Sequence, residues 1–457
     1  MENRCDRWNG HLIIRRKCML KRKLYSRILD WKRNHSHSCL MIKGARQVGK
    51  TFIVREFGVN EYSSFIEINF IKQKELKDIF SGPLDAGTIY KRMTAQIRDI
   101  QLIPGKTLIF LDEIQNCGNA RTAIKFLAED GRFDVISSGS LLGLTYAEDG
   151  DAKVEEPLSV PTGYEDFLTM YSLDFEEFLW AMGYGEDAIH VLQSYYDSGE
   201  KVPAALNEQY EELFREYIVV GGMPEAVDSF SRNQDFNAVA AIQERILENY
   251  RFDIAKHTKG AEKVKVKACY EAIPKQLAKG LKKFQYATVE KGKTSKKYGG
   301  SVRWLIDSAL VHACYNVHEA YIPLLANGIE EQFKLYINDT GLLCAIYGFE
   351  TKRAVLNNTI KGNAKGGIYE NIISECLVKK GYRLFYYKPD DDHEVEFLIE
   401  KNGEVIPVEV KSGNTASVSL NNFIRDYHPS AAYKLVNGNV GISGVKRTLP
   451  HYMVMFL

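Results

Sequence analysis

No apolar stretch in this 457-residue chain reaches the roughly 18–20 residues that a membrane-spanning helix needs, so a membrane partner is not expected. The first residues include basic ones but lack an apolar core followed by a small-residue cleavage site, and no secretory leader is read. No C-x-x-C pair occurs: Cys5, Cys18, Cys39, Cys117, Cys269, Cys314, Cys344 and Cys376 are irregularly spaced. That usage fits reduced thiols in a cytosolic, cytoplasmic protein rather than a disulfide framework or a zinc ribbon. His35 and His37 stand near Cys39, but Cys39 opens an apolar run expected to be a buried strand, which argues against a metal there. There is no internal repeat and no low-complexity tract. Net charge is also nearly absent, +1 from 60 Lys/Arg against 59 Asp/Glu.

That balance conceals an asymmetry. Between Lys256 and Arg303 lie 14 Lys/Arg against only Glu262, Glu271 and Glu290, a local charge of +11 that leaves −10 for the rest. A composition of 45% hydrophobic and 26% charged residues is that of an ordinary globular protein, and the length allows two to four domains. Residues 1–18 differ in style from the rest of the chain and read as an N-terminal extension, with Met19 a plausible alternative start. Over 19–185, short apolar runs alternate with helical stretches: Cys39–Ile42, Phe65–Phe70, Thr107–Leu111 and Asp134–Ser138 as strands, Thr51–Phe57 and Ala120–Glu129 as helices. Lys77–Ile100 reads as mainly helical, broken at Gly82-Pro83, and Glu155–Met170 with Leu173–Ala181 as the last strand and helix. Fully apolar strands separated by helices predict an α/β fold with a buried parallel sheet. Residues 186–255 read as a helical connector, 256–330 as a basic segment and 331–457 as a small α/β domain.

Gly44-Ala45-Arg46-Gln47-Val48-Gly49-Lys50-Thr51 fits G-x-x-x-x-G-K-[ST] in full, after an apolar strand and before a helix. Glycines at those places let consecutive backbone N–H groups face phosphate oxygens, and the helix N-terminus adds partial positive charge. Lys50 would reach the β- and γ-phosphates of ATP, and the Thr51 hydroxyl would ligate Mg²⁺. Asp112 and Glu113 follow the apolar Leu108–Leu111, 61 residues after Thr51 for Asp112, and fall at the C-terminal end of a strand, where ligands bind in open α/β sheets. Asp112 would hold Mg²⁺ through water, and Glu113 would act as general base. A third strand ends in Ser137-Ser138-Gly139-Ser140, where Ser138 or Ser140 could sense the γ-phosphate. The expectation is an ATP hydrolase of P-loop type.

The stretches GARQVGKT, LIFLDEIQ, SSGSLLG, SVPTGYEDFLTMYSLDFEEFLWAMG, VVGGMPEAV and KLYINDTGLL, in that order, resemble a family of prokaryotic AAA+ superfamily ATPases. In that family a C-terminal domain of unknown function is related to restriction-endonuclease folds. The resemblance runs from about Met19 to Val410 and implies an ATPase core, a winged-helix segment and a nuclease-like tail. It also implies homo-oligomers in which a neighbouring copy completes the site with an arginine; Arg121 and Arg132 qualify by position only.

In the basic segment, Phe284–Tyr298 reads as a loop and Gly300–Ala313 as a helix, with Lys291, Lys293, Lys296 and Lys297 clustered before it. A winged helix with lysines there would bind the phosphate backbone of DNA. Tyr286 and Tyr298 could stack or merely pack. In the tail, Gly367–Val378 reads as an amphipathic helix bearing Glu370, while Glu396, Glu409 and Lys411 lie on or beside two strands. Residues two apart in a strand share a face, so Glu409 and Lys411 point the same way. With Glu370 and Glu396 they have the arrangement of a restriction-endonuclease-like metal site, in which two carboxylates bind Mg²⁺ and the lysine activates water. One departure puts cleavage in question. The family usually carries Asp where this chain has Glu396, and active sites are sensitive to displacements of about 1 Å.

Overall fold

The apolar runs become five parallel strands in the computed structural model of the chain: β1 (Cys39–Gly44), β2 (Ser64–Asn69), β3 (Thr107–Asp112), β4 (Asp134–Ser140) and β5 (Glu165–Thr169). Their order is β2-β3-β4-β1-β5. The structure describes residues 6–8, 11–13, 20–34, 37–140, 163–258, 260–292, 294–413 and 417–457. Most of the N-terminal extension, His35, the start of the SVPTGYEDFLTM stretch, Lys259 and Lys293 therefore lie outside the described residues.

Two-residue periodicity explains why these runs lack polar alternation. Cys39, Met41, Ile109, Leu111 and Val135 pack on one face with Ile89 and Met93 of α3 (Ala86–Gln96) and Ile124 and Leu127 of α4 (Gly118–Asp130). Leu40, Ile42, Leu108, Phe110 and Ile136 pack on the other with Leu24 and Ile28 of α1 (Lys23–Asn34) and Ile53 and Phe57 of α2 (Lys50–Glu61). A strand covered on both faces has to be apolar throughout. This is the P-loop NTPase fold, as the sequence predicts. The helical stretch expected from Lys77 is broken at Gly82-Pro83 as read, but its first part is a 3₁₀ stretch, Lys74–Phe80, ahead of α3. The Asp85 side chain starts α3 by accepting a hydrogen bond from Thr88 N at 2.9 Å.

Residues group into two compact units, Met1–Tyr171 and Ser172–Leu457. The second opens with helices α5 (Phe175–Ala181), α6 (Glu186–Ser198), α7 (Ala204–Val220), α8 (Pro224–Asn233), α9 (Phe236–His257) and α10 (Gly260–Leu277). A single turn, α11 (Tyr286–Val289), precedes α12 (Ser295–Asp307). The helix expected over Gly300–Ala313 thus starts earlier and stops at Asp307. Ala309 takes a left-handed φ of 55°, and the next residues form strand β6 (Val311–Val317). Then come β7 (Gly328–Ile337), α13 (Thr340–Tyr347), α14 (Phe349–Leu356) and α15 (Gly362–Lys379). There follow β8 (Leu384–Tyr387), β9 (Val395–Lys401), β10 (Glu404–Val410), α16 (Val418–Tyr427), β11 (Ala432–Val436), β12 (Gly441–Ser443), β13 (Lys446–Pro450) and a closing 3₁₀ stretch, His451–Phe456.

These strands make one mixed sheet, β12-β13-β11-β10-β9-β8-β6-β7. Its edges are blunted. β12 has three residues, and at the other edge Phe284 N donates to the carbonyl of Phe333 in β7 at 2.7 Å. Helix α15 is not amphipathic: every residue from Gly367 to Leu377 is buried, because α10 covers one side, where a Cβ on Gly367 would stand 2.2 Å from Leu277 O. No helix among the described residues is long and apolar enough to cross a membrane. The six described cysteines are free and buried.

Candidate nucleotide site and a buried carboxylate centre

Strand β1 ends at Gly44, where a Cβ would lie 2.2 Å from Met170 O, so only glycine lets the loop leave the sheet here. Gln47 and Gly49 have φ of 64° and 99°, the left-handed turns that swing backbone N–H groups inward before α2. Lys50 is buried, and its Nζ donates to the carbonyls of Gly44 at 3.0 Å and Ala45 at 2.8 Å. Burial pulls its pKa down to about 8, against the opposing pull of Glu113 and Asp112. Arg22 supports the loop from behind, donating to Val48 O at 3.1 Å and Tyr171 O at 2.7 Å. Of the remaining loop residues, Ala45 and Val48 are buried, Arg46 is half-buried and Gln47 exposed.

Asp112, at the end of β3, is the meeting point. Thr51 Oγ1 lies 3.2 and 3.1 Å from its two carboxylate oxygens, and Ser138 Oγ donates to Oδ1 from β4. Asn69 Nδ2 donates to Oδ2 at 2.6 Å from β2. The structure therefore brings together Lys50, Thr51, Asp112 and Ser138. It adds Asn69, which the sequence reading passed over although a polar residue closing an apolar strand was a signal. Glu113 is half-buried with a left-handed φ of 57°, and Gln115 Nε2 donates to its carboxylate at 2.6 Å. The side chain of Ser140 lies outside the described residues. A hydroxyl and a carboxylate beside a phosphate loop form the donor set that suits Mg²⁺ next to a triphosphate. Both arginines picked by position have partners within their own chain. Arg121 is paired with the buried Glu165, and Arg132 is paired with Asp130 and stands over the Tyr90 ring at 4.9 Å.

In the second unit, antiparallel β9 and β10 set Phe397 opposite Val408, and the next residues outward, Glu396 and Glu409, come together with Lys411. Lys411 Nζ is 3.0 Å from Glu396 and 3.4 Å from Glu409, and Val410 N donates to the other Glu396 oxygen at 3.1 Å. Burial raises the Glu396 pKa to about 7, helped by Glu370, Glu409 and Glu394 and opposed by Lys411. Glu370 on α15 joins the group but is held by other residues. Lys282 Nζ is 2.7 Å away, Lys334 Nζ 3.4 Å, and Tyr336 OH donates at 3.1 Å. Burial opposes ionisation of Glu370, yet the two lysines hold its pKa at about 2. Lys334 also pairs with Glu394. Lys282, Lys334, Tyr336 and Glu394 were missed in the sequence, although alternation in Lys334-Leu335-Tyr336 puts both polar residues on one face. A cleft of about 1140 Å³ nearby is lined by Phe284, Tyr286, Phe333 and Tyr386. The Tyr386 ring also lies 4.9 Å from Lys334 Nζ.

Two further stretches that carry the family resemblance meet in a buried lock. Asp339 of KLYINDTGLL accepts from Leu342 N at 3.2 Å, capping α13, and from Gly222 N of VVGGMPEAV at 2.8 Å. Glu375 accepts from Thr340 N at 2.8 Å and Oγ1 at 2.7 Å, and pairs with Lys379 at 2.5 Å. In the basic segment Lys263, Lys267, Lys275, Lys279, Lys291 and Lys296 are exposed along α10, α12 and the turns between. Tyr298 is buried and donates to Glu290 at 2.5 Å, and Tyr286 packs on Phe284, so both tyrosines are packing residues here.

Three family profiles match parts of the chain: an AAA domain over residues 36–179, and two domains of unknown function, DUF8612 over 211–353 and DUF4143 over 365–450. No curated protein matches. Among solved structures, a Walker-type ATPase of Pyrococcus abyssi overlaps with TM-score 0.42 at 15% identity, covering 73% of this chain and 97% of that one. PCH-2 of C. elegans overlaps with TM-score 0.26 at 12% identity, over 49% and 65%. A signal-transduction ATPase with numerous domains and a tetratricopeptide repeat sensor from Pyrococcus horikoshii overlaps with TM-score 0.26 at 12% identity, over 80% and 46%. The AAA profile falls on the five parallel strands and the phosphate loop, in keeping with the P-loop NTPase fold of the first unit.

Proposed function

We propose that the chain hydrolyses ATP with Mg²⁺ and couples hydrolysis to DNA contact by the second unit, whose residues 331–457 form a domain of restriction-endonuclease-like fold. The observation that carries the ATPase reading is the convergence of Thr51, Asn69 and Ser138 on the Asp112 carboxylate at the C-terminal end of the central strands. The Lys50 ammonium would exchange the Gly44 and Ala45 carbonyls for phosphate oxygens when ATP enters. Mg²⁺, held by Thr51 and by Asp112 through water, would supply charge neutralisation on the β- and γ-phosphates. Glu113, oriented by Gln115, would take the proton of the attacking water, and Ser138 would register the γ-phosphate.

For the second unit, support comes from its element order, α15, the β8-β9-β10 meander, α16 and β11, together with Glu-x-Lys at Glu409 and Lys411. The exposed lysines of the preceding winged-helix-like segment would meet DNA phosphates.

Glu113→Gln tests the chemistry. Turnover should fall by about 10²- to 10⁴-fold while ATP binding persists, and unchanged turnover rejects Glu113 as the base. ATP turnover with and without duplex DNA tests the coupling. Stimulation that weakens with salt is expected, and a flat response argues against DNA as partner.

A further inference from the structure

We infer that the carboxylate centre of the second unit is built around lysine ammonium groups and takes no divalent cation. The argument is one of donors and charge. Both oxygens of Glu370 are engaged, by Lys282 on one side and by Lys334 and Tyr336 on the other. Glu394 is paired with Lys334, and both oxygens of Glu396 are used by Lys411 and the Val410 N–H. The oxygens of buried Glu409 accept no hydrogen bond. Lys411 stands 3.4 Å from Glu409, and Lys434 is its register partner on β11. Four carboxylates thus face four ammonium groups. Among the described residues no group of acids, histidines or cysteines is arranged to hold a metal ion.

The lysines are fixed in place. Lys334 is 1% exposed in β7, between two carboxylates and against the Tyr386 ring. The turn carrying Lys282 is fastened by Phe284 N to Phe333 O at 2.7 Å and by Gln285 N to Gln276 Oε1 at 2.6 Å. Mg²⁺ needs about six oxygens at about 2.0–2.1 Å, and here both oxygens of Glu370 and one each of Glu394 and Glu396 already serve lysine ammonium groups, which leaves too few for a cation beside Glu409. Lys334 therefore does the electrostatic work that a metal would do between Glu370 and Glu394. The inference concerns the same unit as the DNA-contact reading but not the contact itself.

Manganese binding to the full chain, followed by the electron spin resonance of free Mn²⁺ without nucleotide, provides the test. The parent and Glu409→Gln should titrate identically. Folded Lys282→Met/Lys334→Met should gain one site, lost again when Glu409→Gln is added. A parent site abolished by Glu409→Gln overturns the inference, and so does a folded double-lysine variant that gains nothing. If the double variant does not fold, Lys282→Met alone is read in its place by the same criteria. Duplex DNA affinity measured on the same samples reports separately on DNA contact, whose loss leaves the manganese result standing.

Discussion

Asn69 and Asp112 are register partners at the ends of neighbouring parallel strands, and the Asn69 amide donates to the Asp112 carboxylate at 2.6 Å. The Asn69 side-chain oxygen in turn accepts from Ile71 N at 3.1 Å and Lys72 N at 2.9 Å, so the turn after β2 is tied to the Asp112 carboxylate. Asn69→Ala should lower kcat by about 10- to 100-fold while ATP affinity changes much less, as losing an orienting partner does at metal sites. Steady-state turnover beside nucleotide binding by fluorescence checks the split.

Lys50 gives the nucleotide site a pH dependence. Its pKa in the free protein, pulled down to about 8, lies below the ordinary lysine value of 10.5, so it is charged below pH 8 and loses its proton as pH rises through 8. ATP selects the charged form. Affinity should hold below pH 8 and weaken by up to about tenfold per unit above it, with proton uptake on binding near pH 8.5. Calorimetry in buffers of different ionisation enthalpy measures that uptake. Because the unfolded chain binds this proton more tightly, the same shift adds fold stability as pH rises from about 8 towards 10.5.

Gly221 should tolerate no side chain. Its φ of 73° with ψ of −172° belongs to glycine, and a Cβ would meet Asp339 Oδ1 at 2.1 Å. Gly221→Ala should cost about 2–4 kcal/mol of stability in denaturant titration, from strain plus overpacking.

Glu375 should matter through the charge it balances. It is fully buried against Lys379 and both Thr340 donors. Glu375→Gln leaves the Lys379 ammonium without its close anion and should destabilise by about 3–5 kcal/mol. Glu375→Gln with Lys379→Met should recover part of that loss, which a double-mutant cycle reads.

The first unit was legible because its physics is local. A strand covered on both faces must be apolar at consecutive positions, and a phosphate loop needs glycine where a Cβ would clash, as at Gly44, and where the backbone turns left-handed, as at Gly49. Asn69 escaped because its role depends on which strand becomes the neighbour of β3, a fact of topology. The second unit was harder for the same reason. Lys282, Lys334 and Glu370 are far apart in the chain and meet only once β7 and α15 are packed. Alternation at Lys334 and Tyr336 marks a shared face without saying what that face meets. The end of α12 was misread because Val302, Leu305, Ile306 and Leu310 keep helical spacing past the point where Ala309 turns left-handed.

The blunted borders of the eight-stranded sheet bear on how copies of this chain can meet. A three-residue strand closes one border, and at the other a main-chain bond from Phe284 takes up one acceptor of β7, beside two exposed acids, Glu330 and Glu331, that disfavour a foreign strand. Ladder-by-ladder growth into fibres is thereby discouraged. Self-association of this unit has to proceed through side-chain surfaces, where single substitutions can tune or abolish it.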